Sequence, residues 1–361
     1  TTRRRMISHI VRNVTLGSLG TLVALEGYYG WRCRDWRHDN RPVEYQNRID
    51  PRIKPTKDEN ILLKCIRFID IYAVKGIMTY VLTIRNQTHY FGVHNLKDAM
   101  NRPEGVGLLT VCNHVTTIDS ASLFAPQMHF RDLLDTRNCG LWNVAREDQP
   151  FGTRFLSMIC PLVKIMPIFR GGGVYQIALS NFIQRVKFGE WCHIFPEGRT
   201  YQDQLKSCWD DQHRRIRASG RTGPPNRSLG PMKWGVGRVV YETTMQDENT
   251  KCAFEEGINN GKLIVLPMYH LNMEQILPEA EDLKVISPIP GKKKEVYCMF
   301  GKPIDFSDVL EGSKEKLASC RTQEERDKMM YVIYEELTCR VEKALESLEY
   351  ELKAVRKWDQ N

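Results

Sequence analysis

The chain has 361 residues, of which 42% are apolar and 27% are charged, so it can bury the core of one large domain, with or without extensions. Its formal net charge of +8 suits an anionic partner such as phospholipid headgroups, phosphorylated substrates or nucleic acid. Nucleic acid ranks last, because no RNA-binding signature, zinc-finger spacing or arginine-rich helix is present. The eleven cysteines are scattered and never form CxxC, which argues against a disulfide scaffold and a zinc site.

The N-terminal segment, residues 1–31, is expected to associate with a membrane. It starts with the basic, acid-free stretch TTRRRM, which is typical of sequence beside an organelle-targeting segment. The run VTLGSLGTLVAL (14–25) is apolar or small throughout, but a spanning helix needs about 20 residues. We therefore expect this run to dip into one leaflet without crossing, with a core helix as the alternative. Residues 32–60 are polar, charged and broken by prolines, which predicts a linker.

A strongly apolar stretch follows the linker. ILLKCIRFIDIYAVKGIMTYVLTI (61–84) is interrupted by Lys64, Arg67, Asp70 and Lys75, which argues against a membrane span. The pattern predicts an amphipathic helix over residues 61–87 that lies either in a membrane interface or against the core. The sequence does not decide between these two places.

From about Thr88, short apolar runs alternate with helical stretches. The runs are GLLTVC (107–112), LWNVA (141–145), VKIMPIF (163–169), WCHIF (191–195), LIVLPM (263–268), LKVIS (283–287) and VYCMF (296–300). Between them, VYQIALSNFIQRVKFG (174–189) places Ile177, Ala178, Phe182, Ile183 and Val186 on one helical face. The alternation predicts an α/β domain over residues 88–310 with a largely parallel central sheet flanked by helices. In such sheets, functional residues gather at the carboxyl ends of strands.

Three segments depart from this alternation. Residues 210–231 form a basic insertion with Arg214, Arg215, Arg217, Arg221 and Arg227, which we expect to be either a surface loop or a contact with anionic lipid or a partner. Residues 246–262 are typical of a solvated acidic connection. Residues 311–361 predict a helical cap whose apolar stripe consists of Met329, Val332, Ile333, Leu337, Val341 and Leu345.

A histidine and an aspartate follow the apolar run GLLTVC (107–112), in the stretch NHVTTID (113–119). On a continuous helix, the side chains of His114 and Asp119 would point about 140° apart, so they meet only if the chain turns after the strand. A strand that gives way to a loop and a new helix provides such a turn. A carboxylate that fixes an imidazole tautomer and stabilises the imidazolium forms the usual general-base pair. The spacing also arises by chance, so the pair needs support from elsewhere in the chain.

Three other stretches carry polar residues after predicted strands. IFRGGG (168–173) places Arg170 beside three glycines, where its guanidinium can pair with a phosphate. IFPEGRTYQ (194–202) places Glu197, Gly198 and Arg199 after another strand, although such a turn alone is ordinary. VLPMYH (265–270) ends a third strand and contains Pro267.

The order of these blocks resembles the four signature blocks of the glycerolipid acyltransferase superfamily, over roughly residues 86–304. Within it, TVCNHVTTID, HIFPEGR, MKWGVGRVVYE (232–242), LPMYHLNMEQILP (266–278) and FGKPI (300–304) are similar to the mitochondrial phospholipid–lysophospholipid transacylases. The long basic insertion and the long linker depart from the pattern of the superfamily. They leave the substrate preference and the assembly state open.

The resemblance implies a role for each motif residue. His114 would be the general base, oriented by Asp119, and backbone N–H groups near the motif would stabilise the oxyanion. The substrate would be held by Arg170, Glu197, Gly198, Arg199, Lys233 and Pro267. The implied chemistry needs no metal and no cofactor.

The resemblance also implies an activity: CoA-independent transfer of acyl chains between phospholipids and lysophospholipids, as in cardiolipin remodelling. The implied location is a mitochondrial membrane, the inner one, with peripheral or monotopic attachment to anionic lipid that includes cardiolipin. Two alternatives stay open. The first is an acyl-CoA-dependent lysophospholipid or glycerol-phosphate acyltransferase. The second is a lipid-binding structural subunit of an inner-membrane protein complex, and such an association is also compatible with catalysis.

Overall fold

The computed structural model describes residues 61–135, 137–147, 151, 160–169, 171–200, 202, 229–230, 232–245, 263–278 and 289–359. Several expectations from the sequence lie outside these residues. They are the N-terminal dipping segment, the linker, Arg170, the arginines of the basic insertion, the acidic connection and the LKVIS run.

The elements of the described chain alternate between strands and helices. In chain order they are α1 (Ile61–Thr79) with a π-helical continuation (Tyr80–Arg85), β1 (Gln87–Phe91), α2 (Val93–Met100), β2 (Gly107–Cys112), α3 (Asp119–Phe124) with a 3-10 turn (Ala125–Gln127), α4 (Phe130–Leu134), β3 (Asn143–Arg146), β4 (Ile165–Ile168), α5 (Ile177–Lys187), β5 (Trp191–Ile194), α6 (Gly235–Thr244), β6 (Leu263–Leu271) with a 3-10 turn (Met273–Gln275), β7 (Glu295–Phe300), α7 (Ser307–Ala318) and α8 (Gln323–Asp359).

Five strands form the central sheet, in the order β1-β7-β6-β2-β5. β2 is parallel to both β5 and β6, and β1 is parallel to β7, whereas β6 and β7 are antiparallel. The parallel pair β3–β4 extends the sheet beyond β5 through Trp142, whose N–H donates to the carbonyl of Trp191 (2.9 Å) and whose carbonyl accepts the N–H of His193 (2.7 Å). The prediction of an α/β fold with a largely parallel sheet is confirmed.

In the described residues, the apolar runs that the sequence predicted as strands do form strands. β2 coincides with GLLTVC and is buried at every position, as expected for a strand covered on both faces. β5, β6 and β7 also match their runs, and β6 continues three residues further, to Leu271. β1 was not predicted, because QTHYF is mostly polar. It lies at the edge of the sheet, where it is only partly buried.

The predicted C-terminal cap consists of most of α7 and the long helix α8, which packs against α6, α7, β6 and β7. Ile333, Leu337, Val341 and Leu345 of the predicted stripe are completely buried in the main core. The prediction was wrong for Val332, whose side chain is 43% exposed. It precedes Ile333 directly and is therefore rotated by about 100° from the core-facing side of the helix.

One face of α1 lies against the core. Leu63, Ile66 and Ile71 are buried, and the buried guanidinium of Arg67 donates to the carbonyls of Pro161 (2.8 Å) and Leu162 (2.7 Å). These two bonds satisfy a charge that would otherwise be costly to bury. None of the helices in the described ranges combines the length and the apolarity that a bilayer crossing requires.

The crossing of α6 over α8 depends on a glycine, which gives a first prediction. A Cβ at Gly237 would overlap the carbonyl oxygen of Tyr334 and lie 2.8 Å from Thr338 Oγ1, so Gly237→Ala must push the two helices apart. We expect a loss of about 1–3 kcal/mol in unfolding free energy, measured by denaturant titration. Gly312→Ala in α7 is the matched control, because a Cβ there meets nothing within 4 Å. Equal stability of the two variants would contradict the tight crossing.

Candidate active site

Three parallel strands bring their carboxyl ends to the same edge of the sheet. β2 is the middle strand, with β5 on one side and β6 on the other. His114 lies just beyond β2, Glu197 lies just beyond β5, and His270 is the penultimate residue of β6. The topology therefore collects three ionisable side chains from distant parts of the chain.

His114 and Asp119 are brought together by the expected turn. β2 ends at Cys112, and α3 begins at Asp119, so the intervening loop folds His114 back over the first residue of the helix. Nδ1 of His114 lies 3.2 Å from Oδ2 of Asp119. The imidazole stacks on the ring of Phe195, with centroids 3.8 Å apart, and its side chain is 17% exposed. Because Nδ1 faces the carboxylate, Nε2 is the nitrogen available to an incoming hydroxyl.

The carboxylate of Asp119 is completely buried and surrounded by donors. Its Oδ2 accepts the N–H groups of Val115 (2.7 Å) and Thr116 (2.8 Å), and its Oδ1 accepts the Thr116 hydroxyl (2.5 Å). Burial by itself raises the pKa of this carboxyl, but His270, His114 and their hydrogen bonds outweigh burial and hold the pKa well below its usual range. Asp119 is therefore a fixed negative charge beneath the imidazole.

His270 is a second histidine on the same carboxylate, and sequence reasoning did not select it. Its Nε2 lies 3.0 Å from the carbonyl of Asn113 and 3.5 Å from Oδ2 of Asp119. The side chain of Asn113 in turn donates to the carbonyl of His270 and accepts its N–H, both at 3.0 Å. This reciprocal contact clamps the ends of β2 and β6 together. The signal in the sequence was the same as for His114, a histidine at the end of an apolar run.

Glu197 is buried and uses both of its carboxylate oxygens. Oε1 accepts the N–H of His114 (2.7 Å), and Oε2 accepts the N–H of Gly230 (2.6 Å), which lies close to the end of the basic insertion. Burial raises the pKa of Glu197 to about 8, against the lowering effect of the two N–H groups. The expected role of Glu197 was substrate binding, whereas these contacts make it a brace for the backbone of His114.

Two of the other predicted substrate residues form an accessible surface beside Glu197. Gly198 is exposed, with φ of 69°, and the aliphatic part of Lys233 lies against it. The N–H of Lys233 donates to the carbonyl of Pro196 (2.8 Å), and its side chain is exposed. Arg199 is partly buried in the same turn. A cationic rim therefore borders the histidine.

The two other predicted substrate residues are Pro267 and Arg170. Pro267 is buried within β6, where it pairs with Val111 of β2 and accepts the N–H of Gly301 (2.8 Å), so it belongs to the sheet. Arg170 lies outside the described residues. Among the residues that the structure describes, no group of three or more His, Cys, Asp or Glu side chains is arranged to hold a metal ion.

Three backbone N–H groups of the motif, in the region where oxyanion donors were expected, are engaged within the site. The N–H of His114 donates to Glu197, and the N–H groups of Val115 and Thr116 both donate to Asp119. These three groups stabilise carboxylates that hold the histidine and are not free to stabilise a substrate oxyanion. The cationic rim of Arg199 and Lys233 is an alternative source of positive charge.

A third histidine, His193, packs against Phe195, the ring on which His114 stacks. His193 is completely buried in β5, and its ring packs edge-on against Phe195 (4.6 Å) and Phe124 (5.3 Å). Its Nδ1 lies 2.8 Å from the hydroxyl of Thr110. Burial, followed by the charge of nearby His114, lowers the pKa of His193 to about 3. His193 is therefore neutral and has a packing role beneath Phe195.

Comparison with known proteins identifies an acyltransferase domain that contains this site. A family model described as Acyltransferase matches residues 93–270, which contain His114, Asp119, Glu197 and His270. Similar relatives include the N-acylphosphatidylethanolamine synthase of Arabidopsis thaliana (29% identical over 64% of this chain), the tafazzin of Drosophila melanogaster (27% over 60%) and the taffazin of Dictyostelium discoideum (25% over 58%). The chain contains an acyltransferase domain and is similar to the glycerolipid acyltransferases. Its acyltransferase domain confirms both the predicted enzyme class and the resemblance carried by the motifs.

The similarity does not extend over the full length of these relatives. The aligned part spans 69% of the Arabidopsis synthase, but only 45% of the Drosophila protein and 62% of the Dictyostelium protein. Among solved structures, the 1-acyl-sn-glycerophosphate acyltransferase PlsC of Thermotoga maritima is 14% identical, with a TM-score of 0.36, over 90% of this chain and 97% of its own.

The bracing contacts of Glu197 predict a specific kinetic defect. In Glu197→Gln, one oxygen becomes an NH₂ group and can no longer accept an N–H, so the backbone of His114 shifts. We expect kcat to fall by about 100-fold with little change in KM for the lysophospholipid. Lys233→Gln is the contrasting variant, and it should raise KM for the lysophospholipid, because an exposed cation that attracts the headgroup is lost. A raised KM with normal kcat in Glu197→Gln would show instead that Glu197 binds substrate.

The buried imidazole of His193 predicts how stability depends on pH. Its pKa is about 3 in the folded chain, below the ordinary value of 6.5, so folding favours the neutral form. Its contribution to stability is complete above pH 6.5 and is lost as the pH falls towards 3. His193→Asn keeps a partner for Thr110 but does not titrate, so its unfolding free energy should fall less steeply over this range. Parallel curves for the two proteins would contradict a neutral, buried His193.

Proposed function

We propose that this acyltransferase moves acyl chains between phospholipids and lysophospholipids without CoA, and that cardiolipin is among the lipids it remodels. The observation that carries the proposal is the imidazole of His114, held by a buried, charged Asp119 with Nε2 left for a hydroxyl. The similarity to two tafazzins supports the choice of lipid substrates.

The chemistry of the proposed transfer follows from this geometry. Nε2 of His114 takes the proton from the free hydroxyl of a lysophospholipid, while Asp119 keeps Nδ1 protonated and stabilises the imidazolium. The hydroxyl oxygen attacks an ester carbonyl of a second phospholipid and forms a tetrahedral oxyanion. When this intermediate collapses, the C–O bond to the donor glycerol breaks, and the imidazolium returns its proton to the departing oxygen. One lysophospholipid is consumed and another is formed.

The cationic rim supplies the electrostatic part of the proposal. Lys233 and Arg199 flank the exposed Gly198 next to the braced Glu197, where they attract the phosphate of a lipid headgroup. With the N–H groups of the motif engaged, the ammonium of Lys233 is also our candidate for stabilising the oxyanion. Arg170 belongs to the same proposal through its position in the sequence.

The proposed exchange needs no cofactor, because it is close to neutral in free energy. One carboxylic ester replaces another, so the transfer is nearly isoenergetic and reversible and needs no activated donor. Lipid packing then decides which acyl chains accumulate. We place this activity at the mitochondrial inner membrane, with peripheral or monotopic attachment, and association with a protein complex there is compatible with it.

Two other acyl transfers fit the same pair of residues. An acyl-CoA thioester can replace the phospholipid as donor, as the sequence left open. The similarity to the Arabidopsis N-acylphosphatidylethanolamine synthase favours a different acceptor, the amine of phosphatidylethanolamine, whose proton His114 would remove in the same way. The three reactions differ in donor or product and are separable in one assay.

The donor is tested with purified full-length protein in mixed micelles. In one arm, phosphatidylcholine labelled in its acyl chain is supplied with lysocardiolipin and phosphatidylethanolamine without CoA. In a second arm, the phosphatidylcholine is unlabelled and added acyl-CoA carries the label. We expect label in cardiolipin without any CoA. Transfer of label from acyl-CoA alone would replace the proposal with the CoA-dependent reaction, and label in N-acylphosphatidylethanolamine alone would replace it with amine acylation.

The catalytic pair is tested in the same assay. His114→Ala should lower the rate by about 10²–10⁴-fold, and Asp119→Asn should be severely impaired because the imidazole loses its orientation and its counter-charge. His94→Ala, which removes an exposed histidine from α2, is the control and should be normal. Near-normal turnover by a folded His114→Ala protein would eliminate the general base and favour a structural, lipid-binding role.

A further inference from the structure

Three hydrogen bonds join His270 to Asn113, the residue directly before His114. Two of them are the reciprocal contacts between the side chain of Asn113 and the backbone of His270, both at 3.0 Å. In the third, Nε2 of His270 lies 3.0 Å from the carbonyl of Asn113. The regular pairing of β2 with β6 ends at Cys112 and Met268, so these bonds continue the contact between the two strands beyond the end of the ladder. His270 therefore holds the backbone that leads into the general base.

The same ring nitrogen faces the carboxylate beneath His114. Nε2 of His270 lies 3.5 Å from Oδ2 of Asp119. A carbonyl oxygen and an ionised carboxylate only accept hydrogen bonds, so Nε2 of His270 must carry a proton. Nδ1 of His270 is buried and has no hydrogen-bond partner in the part of the chain that the structure describes. Within that part, the polar contacts of the imidazole are therefore made by Nε2–H.

Burial separates this histidine from the substrate. The side chain of His270 is completely buried, whereas that of His114 is 17% exposed. His270 can therefore affect the reaction only through the residues that it contacts. It also differs from His193, which is equally buried but whose Nδ1 contacts the hydroxyl of Thr110 within β2 and not a residue of the catalytic loop.

We propose that His270 is a positioning residue for the general base. Its Nε2–H holds the carbonyl of Asn113 and faces the carboxylate of Asp119, so one donor fixes both the residue that precedes His114 and the group that orients its ring. Without this donor, the backbone before His114 loses an anchor and the buried charge of Asp119 loses part of its compensation. The imidazole of His114 then departs from the orientation in which Nδ1 faces Asp119. This inference rests on the proposed function in one respect, which is the role of His114 as the base.

Two substitutions separate the Nε2–H of His270 from the rest of its ring. The amide nitrogen of glutamine stands as many bonds from Cβ as Nε2 of histidine does, whereas the amide nitrogen of asparagine stands as many bonds from Cβ as Nδ1 does. His270→Gln can therefore keep a donor directed at Asn113 and Asp119, and His270→Asn cannot. Both variants remove the aromatic ring, so each is the matched control of the other.

The two variants are compared with wild type in the assay with labelled phosphatidylcholine and lysocardiolipin, and denaturant titration shows whether each is folded. We expect kcat to fall by about 10–100-fold in His270→Asn with little change in KM, because a misplaced base slows the chemical step without altering binding. His270→Gln should keep kcat to within about fivefold of wild type. Equal losses in two folded variants would overturn the proposal, because the shape of the ring would then matter and not its Nε2–H. Normal kinetics of His270→Asn, or a raised KM with normal kcat, would also overturn it.

The tautomer of His114 is a readout that a merely structural role of His270 would not move. In protein labelled with ¹⁵N at histidine, neutral His114 should carry its proton on Nδ1 in wild type and in His270→Gln, and this preference should weaken in His270→Asn. An unchanged tautomer of His114 in folded His270→Asn would contradict the positioning role.

If His270→Asn does not fold, the tautomer of His270 in the wild-type protein decides, with His270→Gln used for assignment. A proton on Nε2 supports the proposal, and a proton on Nδ1 overturns it. His114→Ala in the same assay separates this inference from the proposed function. Normal turnover by His114→Ala would remove the base and with it both proposals, whereas an inactive His114→Ala beside a fully active His270→Asn would remove only the role of His270.

Discussion

The buried carboxylate of Asp119 is the interaction on which the site depends. A lone carboxylate in this position would be protonated or expelled, because burial strongly disfavours its charge. Two backbone N–H groups, one hydroxyl and two imidazoles compensate for that cost and keep it ionised. The loop after β2 is consequently folded around the carboxylate, and His114 takes its orientation from the same loop. Folding energy and catalytic geometry are therefore supplied by the same few contacts.

The sheet explains how the chain can supply those contacts. β2 lies between β5 and β6, so the loops that follow all three strands converge at one edge. Glu197 from the β5 side holds the backbone of His114, and His270 from the β6 side reaches Asp119. Each neighbouring strand thus contributes one buried ionisable group that fixes the motif of the central strand. The accessible groups, Lys233 and Arg199, lie outside this buried set, which separates the positioning of the histidine from contact with substrate.

The parts of the fold that the sequence predicted are those with a strong local pattern. β2 and β5 are continuous apolar runs, and the pairing of His114 with Asp119 followed from a strand, a turn and a helix in succession. β1 was missed because an edge strand needs no apolar run. The partners of Glu197 and His270 were also missed, because buried contacts between loops 33 to 157 residues apart leave no local spacing to detect. Glu197 was accordingly assigned to the substrate, although both of its oxygens bind backbone N–H groups.

The helix α1 shows another limit of sequence patterns. Its composition is compatible with either a core helix or an interfacial helix, and the periodicity does not choose between them. The structure shows that the inner face packs against the core, whereas the outer face, with Ile61, Ile77 and Ile84, remains exposed. A helix with two apolar faces has no single hydrophobic direction, so only the packing of the rest of the domain reveals which face is left over.

The most direct test of this account is the tautomer of His114, observed by NMR in protein labelled with ¹⁵N at histidine, with His114→Gln used for assignment. The account predicts that neutral His114 carries its proton on Nδ1, towards Asp119, and that this preference weakens in Asp119→Asn. A wild-type His114 that carries its proton on Nε2 would contradict it, because the nitrogen that faces the substrate hydroxyl could then not accept a proton.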